Sequence, residues 1–142
     1  FDGPVLASHQ NCRTLVPGER QMSDAQLKAI IERDGVIGTA MDSWMLYPDW
    51  VKGETDPAVV ALDQVVDHIE HVGDLAGGTR SAGLGTDLDG GFGKEQAPHD
   101  LETIADLGRV GELLSERGHS DEDVAAVMHG NWLRFLREFL PE

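Results

Sequence analysis

The chain has 142 residues, and its 11 Lys and Arg against 26 Asp and Glu give a formal net charge of −15 at pH 7. This length suffices for a single segment, residues 1–142, with a core of its own. The strong negative charge argues against nucleic acid or an anionic membrane as a partner. The single cysteine, Cys12, excludes an internal disulfide framework.

The first residues of the chain do not have the pattern of a signal peptide. The sequence contains no apolar run long enough to span a bilayer and no signal peptide, which favours a soluble, cytoplasmic protein without fixing the compartment. It begins at Phe1 without a methionine and enters strand-like sequence within a few residues. We therefore expect the amino-terminal part of a larger protein to be missing.

The first half of the chain alternates between apolar runs and one amphipathic segment. The run from Val5 to Ser8 predicts a strand. In SDAQLKAIIERDG, Ser23 can cap a helix and Gln26 can complete a capping box. The next apolar run, in VIGTAMDSW, is typical of a buried strand and ends at Asp42.

The second half predicts another strand among several helices. A helix begins near Pro57 and ends at Gly77, and the run in SAGLGTDLDGG stops at Asp87. Residues 101–117 predict a helix, and Ser120 predicts the cap of a shorter one. Asn131 predicts the cap of the last helix, whose apolar side chains should pack inward: Trp132, Leu133, Phe135, Leu136 and Phe139.

The order of strands and helices predicts an α/β fold with parallel strands joined by helical crossovers. Ligand sites in such folds lie at the carboxyl ends of the strands, where the three apolar runs end in His9, Asp42 and Asp87. An imidazole there can bind a transition metal, and a carboxylate can bind a metal or move a proton. The alternative is that each of these residues only closes a loop.

Other chemically active side chains have two interpretations each. His68 and His71 share a helical face and could bind a metal, although hydrogen bonding between layers is the commoner use of such a pair. Trp44, Tyr47 and Trp50 could wall a pocket or only hold their loop in place. Three more histidines, His99, His119 and His129, are interpreted as structural or solvent-facing. Cys12 has no paired base by spacing, so we do not expect it to act as a nucleophile.

Five stretches of this chain resemble the membrane dipeptidase family, also called renal dipeptidases. They are PVLASHQNCR, ERQMSDAQLKAIIERDGVIGTAMDSW, VVDHIEHVGDLAGG, AGLGTDLDGG and GNWLRFLREFL, and they occur in the family's order. The resemblance implies a zinc-dependent (βα)8 barrel of TIM type that hydrolyses dipeptides with two metal ions. The chain would then be its carboxyl-terminal portion, three βα units followed by terminal helices.

The resemblance also implies roles for individual residues. His9 matches a histidine ligand of the metal, Arg20 the arginine that binds the free carboxylate of the substrate, and Asp87 the aspartate near the scissile bond. These residue types suit those roles, because imidazole binds zinc, guanidinium pairs with a carboxylate, and a carboxylate can pass a proton to a departing amine.

Of the family's metal ligands, this sequence would hold only His9, because the other ligands would precede Phe1. The expected partners are a dipeptide and the missing amino-terminal half of the barrel, and a homodimer is compatible with this interpretation. The chain alone should then be inactive. The alternative function is a non-catalytic α/β module, used for binding or assembly, that keeps the scaffold without the metal.

Overall fold

The computed structural model of the protein describes residues 2–140. Its helices and strands, in chain order, are α1 (Asp24–Ile31), β1 (Ile37–Thr39), α2 (Ser43–Leu46), α3 (Leu62–Ala76), β2 (Ala82–Leu84), α4 (Gly108–Glu116), α5 (Asp121–Ala125) and α6 (Asn131–Phe139). Turns of 3-10 helix lie at Pro57–Val59, Thr79–Ser81, Lys94–Gln96 and Ile104–Leu107, and a π-helical turn, Ala126–Gly130, joins α5 to α6.

The sheet is parallel, as the sequence predicts, but the first of the three predicted strands, the run from Val5 to Ser8, forms only a single bridge. β1 pairs with β2 so that Ile37 lies opposite Ala82. The run from Val5 to Ser8 joins β1 only through a parallel bridge between Ala7 and Ile37, although Ala7 N–H donates to Val36 O at 2.9 Å. Among residues 2–140 this run has a neighbour on one side alone, so the predicted three strands reduce to two strands and one bridge.

Glycines let the carboxyl ends of these segments approach one another closely. A Cβ atom on Gly85 would lie 1.9 Å from the carbonyl oxygen of Ser8, and one on Gly38 would lie 2.3 Å from the same oxygen. This oxygen belongs to the backbone, so no side-chain movement could relieve the overlap. Glycine at these two positions therefore brings Ser8, β1 and β2 together at one edge.

Helix α3 packs against both strands and lies between α1 and α4. Its buried face consists of Leu62, Val65, Val66, His68, Ile69 and Val72. The predicted start at Pro57 is wrong by one turn, because Pro57–Val59 forms a separate 3-10 turn and α3 begins at Leu62, whose N–H donates to Asp100 Oδ1 at 2.9 Å. Gly77, with φ of 71°, ends α3 as predicted.

Three capping predictions have different outcomes. Ser23 and Gln26 form the predicted capping box of α1, and Ser120 caps α5. The single helix predicted over residues 101–117 is wrong, because Thr103 caps a 3-10 turn and α4 begins only at Gly108. Asn131 does not cap α6: it is buried, and its Nδ2 donates to Thr79 O at 2.7 Å and to Ala82 O at 2.8 Å.

Helix α6 buries less of its apolar surface than the sequence predicts. Phe135 is buried, and Trp132 Nε1 donates to Leu84 O at 2.9 Å. Leu133 and Leu136 are instead 42% and 39% exposed, so the prediction that they pack inward is wrong. Of the helices in residues 2–140, none combines the length and the apolar character needed to cross a membrane.

Candidate active site

His9 lies directly after the segment that pairs with β1. The N–H of the next residue, Gln10, donates to Gly38 O at 2.7 Å, which fixes the backbone at this point. The side chain is half-buried, and its Nδ1 lies 2.7 Å from Ser8 Oγ. When Nδ1–H donates to that hydroxyl, Nε2 keeps its lone pair, and this is the tautomer that a metal ligand needs.

Arg20 reaches the same edge from the loop before α1. Its Nη2 donates to the carbonyl oxygen of His9 at 3.4 Å, so the two residues are in contact. Arg13 holds this loop in place by donating to Gly18 O at 2.9 Å and to Gln21 O at 2.6 Å. The Arg20 side chain is exposed, which leaves its planar guanidinium accessible to a carboxylate ligand.

Asp87 follows β2 in a left-handed backbone conformation, with φ of 57°. β2 stays paired with β1 up to this point, because Gly85 N–H donates to Thr39 O and Met41 N–H donates to Thr86 O, both at 3.1 Å. The N–H of Gly90 then donates to Asp87 O at 2.8 Å and turns the chain. The half-buried carboxylate of Asp87 is thus presented at the carboxyl edge of the sheet.

Asp42, at the corresponding end of β1, is the most buried acid of this edge at 7% exposure. Both of its carboxylate oxygens accept from Gln96 Nε2 at 2.8 Å, and Gln96 is itself buried. Burial raises the pKa of Asp42, hydrogen bonds from Gln96 and Trp44 lower it, and the charge of Asp87 raises it further. Sequence reasoning singled out Asp42 but missed Gln96, which no motif marks.

The structure brings these residues together as two pairs at one edge. His9 and Arg20 are in contact through a hydrogen bond, and Asp42 and Asp87 interact electrostatically. His9, Asp42 and Asp87 each follow the carboxyl end of a parallel segment, which places their backbones on the same side of the sheet. At such an edge the imidazole of His9 can ligate a transition metal, and a carboxylate can move a proton.

The metal-binding capacity of residues 2–140 is limited. No group of three or more His, Cys, Asp and Glu side chains in this range could hold a metal ion. The imidazole of His9 fits a transition metal, because Ser8 satisfies one ring nitrogen and leaves the other for coordination. At the carboxyl edge of the sheet, residues 2–140 therefore offer the imidazole of His9 as a ligand, and a stable zinc site usually has three or four protein ligands.

His68 and His71 form hydrogen bonds between layers, which was the commoner of their two interpretations. Cys12 N–H donates to Nδ1 of His68 at 3.0 Å, and Nε2 of His71 lies 2.9 Å from Asp24 Oδ1. Burial lowers the pKa of His68 to about 4 and raises the pKa of the Cys12 thiol to about 12. A thiol with such a pKa is protonated at neutral pH, which agrees with the absence of a nucleophilic role.

The aromatic loop and the other histidines have structural surroundings. Tyr47 and Trp50 pack against the core, whereas Trp44 is 37% exposed. The other three histidines bind a neighbour or face solvent: His99 Nδ1 donates to Val60 O at 2.8 Å, His119 Nε2 lies 3.1 Å from Glu70 Oε1, and His129 is exposed.

Comparisons with known proteins identify relatives over nearly the whole chain. The family model described as membrane dipeptidase, peptidase family M19, matches residues 2–140. The dipeptidase aclJ of Aspergillus oryzae is 35% identical over 133 residues, which cover 94% of this chain and 29% of that protein. An uncharacterised protein of Klebsiella pneumoniae, from the region 5′ of pqqA, is 31% identical and is covered to 46%.

Solved structures agree with this match. A metallopeptidase of Rhodobacter sphaeroides, bound to a phosphinate mimic of the dipeptide L-Ala-D-Ala, superimposes with a TM-score of 0.81 at 25% identity. That match covers 96% of this chain and 36% of the other. A second metallopeptidase, dipeptidase AC, gives a TM-score of 0.82 with 38% of its chain covered. The chain thus spans less than half of the length of these relatives, and it belongs to the membrane dipeptidase family, peptidase family M19.

Proposed function

We propose that this chain supplies part of the active site of a zinc-dependent hydrolase that cleaves dipeptides. The single observation that carries the proposal is the convergence of His9, Arg20 and Asp87 on the carboxyl edge of parallel strands, in a chain of this family. The chain would be the carboxyl-terminal portion of a (βα)8 barrel, and an amino-terminal half outside this sequence would close it. The surface that this half or a second copy of the chain would cover consists of exposed leucines, Leu133 and Leu136 on α6 and Leu140 directly after it.

His9 is the proposed metal ligand of this chain. Its ring orientation is set by Ser8 Oγ, which leaves Nε2 available for coordination. We expect two zinc ions in the complete site, with the other ligands outside this sequence. Bound zinc supplies a Lewis acid and lowers the pKa of a bound water.

Arg20 is the proposed ligand for the carboxylate of the dipeptide. Its exposed guanidinium can form two parallel N–H···O bonds with a carboxylate, which fixes both the position and the orientation of the substrate. The hydrogen bond from Arg20 to His9 O would hold this carboxylate at a set distance from the metal ligand. The metallopeptidase that binds a phosphinate dipeptide mimic supports a dipeptide as the substrate.

Asp87 is the proposed proton carrier. Its carboxylate stands at the end of β2, where it can take a proton from the attacking water and pass it to the departing amine. The left-handed backbone at Asp87 and the turn to Gly90 set the direction of this side chain. Residues of this chain alone therefore position the Asp87 carboxylate.

A non-catalytic binding or assembly module is the second candidate function. One observation favours it: the part of the chain that the structure describes lacks a group of three or more residues that could hold a metal. This second candidate function predicts that adding the amino-terminal half of the barrel does not restore dipeptide hydrolysis. The first candidate predicts that the complete protein hydrolyses dipeptides.

The role of Arg20 is tested with two substrates that differ only at the carboxylate. In the complete protein, Arg20→Ala should lower kcat/KM for a dipeptide by about 10- to 100-fold, because a charge-assisted hydrogen bond contributes about 1.5–3 kcal/mol. The same change should hardly affect the corresponding dipeptide amide, which has no carboxylate to bind. Arg137→Ala, at an exposed arginine of α6, is the matched control. Equal losses on the acid and the amide would refute the assignment.

A further inference from the structure

A glycine-rich loop separates Asp87 from the next buried polar side chain. The segment from Asp87 to Gln96 contains Gly90, Gly91 and Gly93. Gly91 adopts a φ of 86° in the left-handed region, as Asp87 does at 57°. Glycine restricts the backbone less than any other residue, so the loop needs anchors at its ends to hold one shape.

Asp42 and Gln96 form one of these anchors. Gln96 Nε2 donates to Oδ1 and Oδ2 of Asp42, both at 2.8 Å, and each residue is only 7% exposed. The other anchor is the pairing of β2 with β1, through Met41 N–H and Thr86 O at 3.1 Å. The loop that carries Asp87 is therefore fixed to the end of β1 on both sides.

The carboxylate of Asp87 depends on the path of this loop. A Cβ atom on Gly90 would lie 2.7 Å from Asp87 Oδ1, so the carboxylate rests directly against the loop backbone. The hydrogen bond from Gly90 N–H to Asp87 O, at 2.8 Å, ties the two residues together. A shift of the loop would consequently move the carboxylate.

We propose that Asp42 and Gln96 form a clamp that positions Asp87 for proton transfer by fixing the glycine-rich loop to the end of β1. The proposal rests on the proposed function, since it assumes that Asp87 is the proton carrier. Asp42 and Gln96 are positioning residues that act through the loop, without touching the substrate.

The hydrogen-bonding capacity of the clamp determines which substitutions it should tolerate. Oε1 of Gln96 is buried without a hydrogen-bond partner in the structure. An Asn at position 42 keeps an oxygen for Gln96 Nε2 and adds an Nδ2–H group that can donate to Gln96 Oε1. Asp42→Asn should therefore preserve the clamp, whereas Asp42→Ala and Gln96→Ala should break it.

The test measures dipeptide hydrolysis and amide hydrogen exchange in the complete protein. Asp42→Ala and Gln96→Ala should each lower kcat by about 10- to 100-fold with little change in KM, because misplacing a catalytic group by about 1 Å has effects of this size. The double variant should be no worse than either single variant, because both remove the same interaction. Exchange of residues 88–95 should rise in all three, while Asp42→Asn should stay near the wild type in both measurements.

Matched variants separate the clamp from the unspecific loss of a carboxylate. Asp56→Ala removes a carboxylate that caps a turn elsewhere, through Ala58 N–H at 2.9 Å, and should leave kcat unchanged. Additive losses in the double variant, or a loss in Asp42→Asn as large as that in Asp42→Ala, would overturn the clamp. Wild-type turnover in Asp87→Asn would instead refute the proposed function. Unchanged exchange of residues 88–95 in Asp42→Ala would refute the clamp whatever the activity.

Discussion

The buried His68 should make the stability of the protein depend on pH in a range set by its depressed pKa. Burial, and to a smaller extent the neighbouring His71, lower this pKa from 6.5 to about 4. In the folded state Nδ1 accepts the N–H of Cys12 at 3.0 Å, which requires that nitrogen to be unprotonated. Below pH 6.5 the unfolded chain binds a proton that the folded protein excludes.

The direction and size of the effect follow from this difference. The stability due to neutral His68 is fully present above about pH 6.5, falls as the pH drops from 6.5 to about 4, and is constant below that. One pKa unit corresponds to about 1.4 kcal/mol, so the loss over this range is about 3 kcal/mol. Other groups also titrate here, so the effect is defined as a difference between variants.

The measurement is the free energy of unfolding by urea at several pH values between about 7 and 4, in the wild type and in His68→Asn. Asn places an oxygen near the position of Nδ1, so it can still accept the Cys12 N–H but does not titrate. The variant is expected to be less stable at neutral pH because the smaller side chain leaves a cavity. Its stability should nevertheless fall by about 3 kcal/mol less than that of the wild type on acidification. Parallel pH profiles for the two proteins would refute the reasoning.

Three further predictions concern the edge of the sheet and the site. Gly85→Ala should lower the free energy of unfolding by urea by about 1–3 kcal/mol or more, because the added Cβ would lie 1.9 Å from Ser8 O. Gly108→Ala is the control, because Gly108 has open space around it, and it should be neutral or stabilising. Equal effects of the two substitutions would contradict the packing argument. Arg20→Lys should mainly raise KM for a dipeptide, because a point charge replaces a planar fork, and an unchanged KM would count against carboxylate binding. The 142-residue chain alone should bind zinc weakly and show no dipeptidase activity, because residues 2–140 offer no complete group of zinc ligands. Metal analysis and a dipeptidase assay of the purified chain test this prediction, and tight stoichiometric zinc together with full turnover would show that it is wrong.

Local signals in the sequence predicted the parts of the fold that depend on near neighbours. The capping box of Ser23 and Gln26 and the left-handed end of α3 at Gly77 are confirmed, because each needs only residues a few positions away. The predicted cap at Asn131 is wrong because the partners of its side chain, Thr79 O and Ala82 O, lie about 50 positions earlier in the chain, where a local pattern cannot reveal them.

The candidate site divides in the same way. Parallel strands place their carboxyl ends at one edge, so the positions of His9, Asp42 and Asp87 could be expected from the order of elements alone. The partner of Asp42 could not, because Gln96 reaches it from a loop 54 positions away. The exposure of Leu133 and Leu136 could not be predicted either, because periodicity within a helix does not reveal which of its apolar side chains the rest of the fold covers.

The most direct test of the proposed function compares zinc content and turnover in the complete protein and in two aspartate variants. Asp87→Asn should keep the zinc content of the wild type and lower kcat for a dipeptide by about 100- to 10,000-fold, because it removes the proposed proton carrier. Asp89→Asn, at an exposed carboxylate two residues further on, should match the wild type in both measurements. Wild-type turnover in Asp87→Asn, or no dipeptide hydrolysis by the zinc-loaded complete protein, would contradict the account.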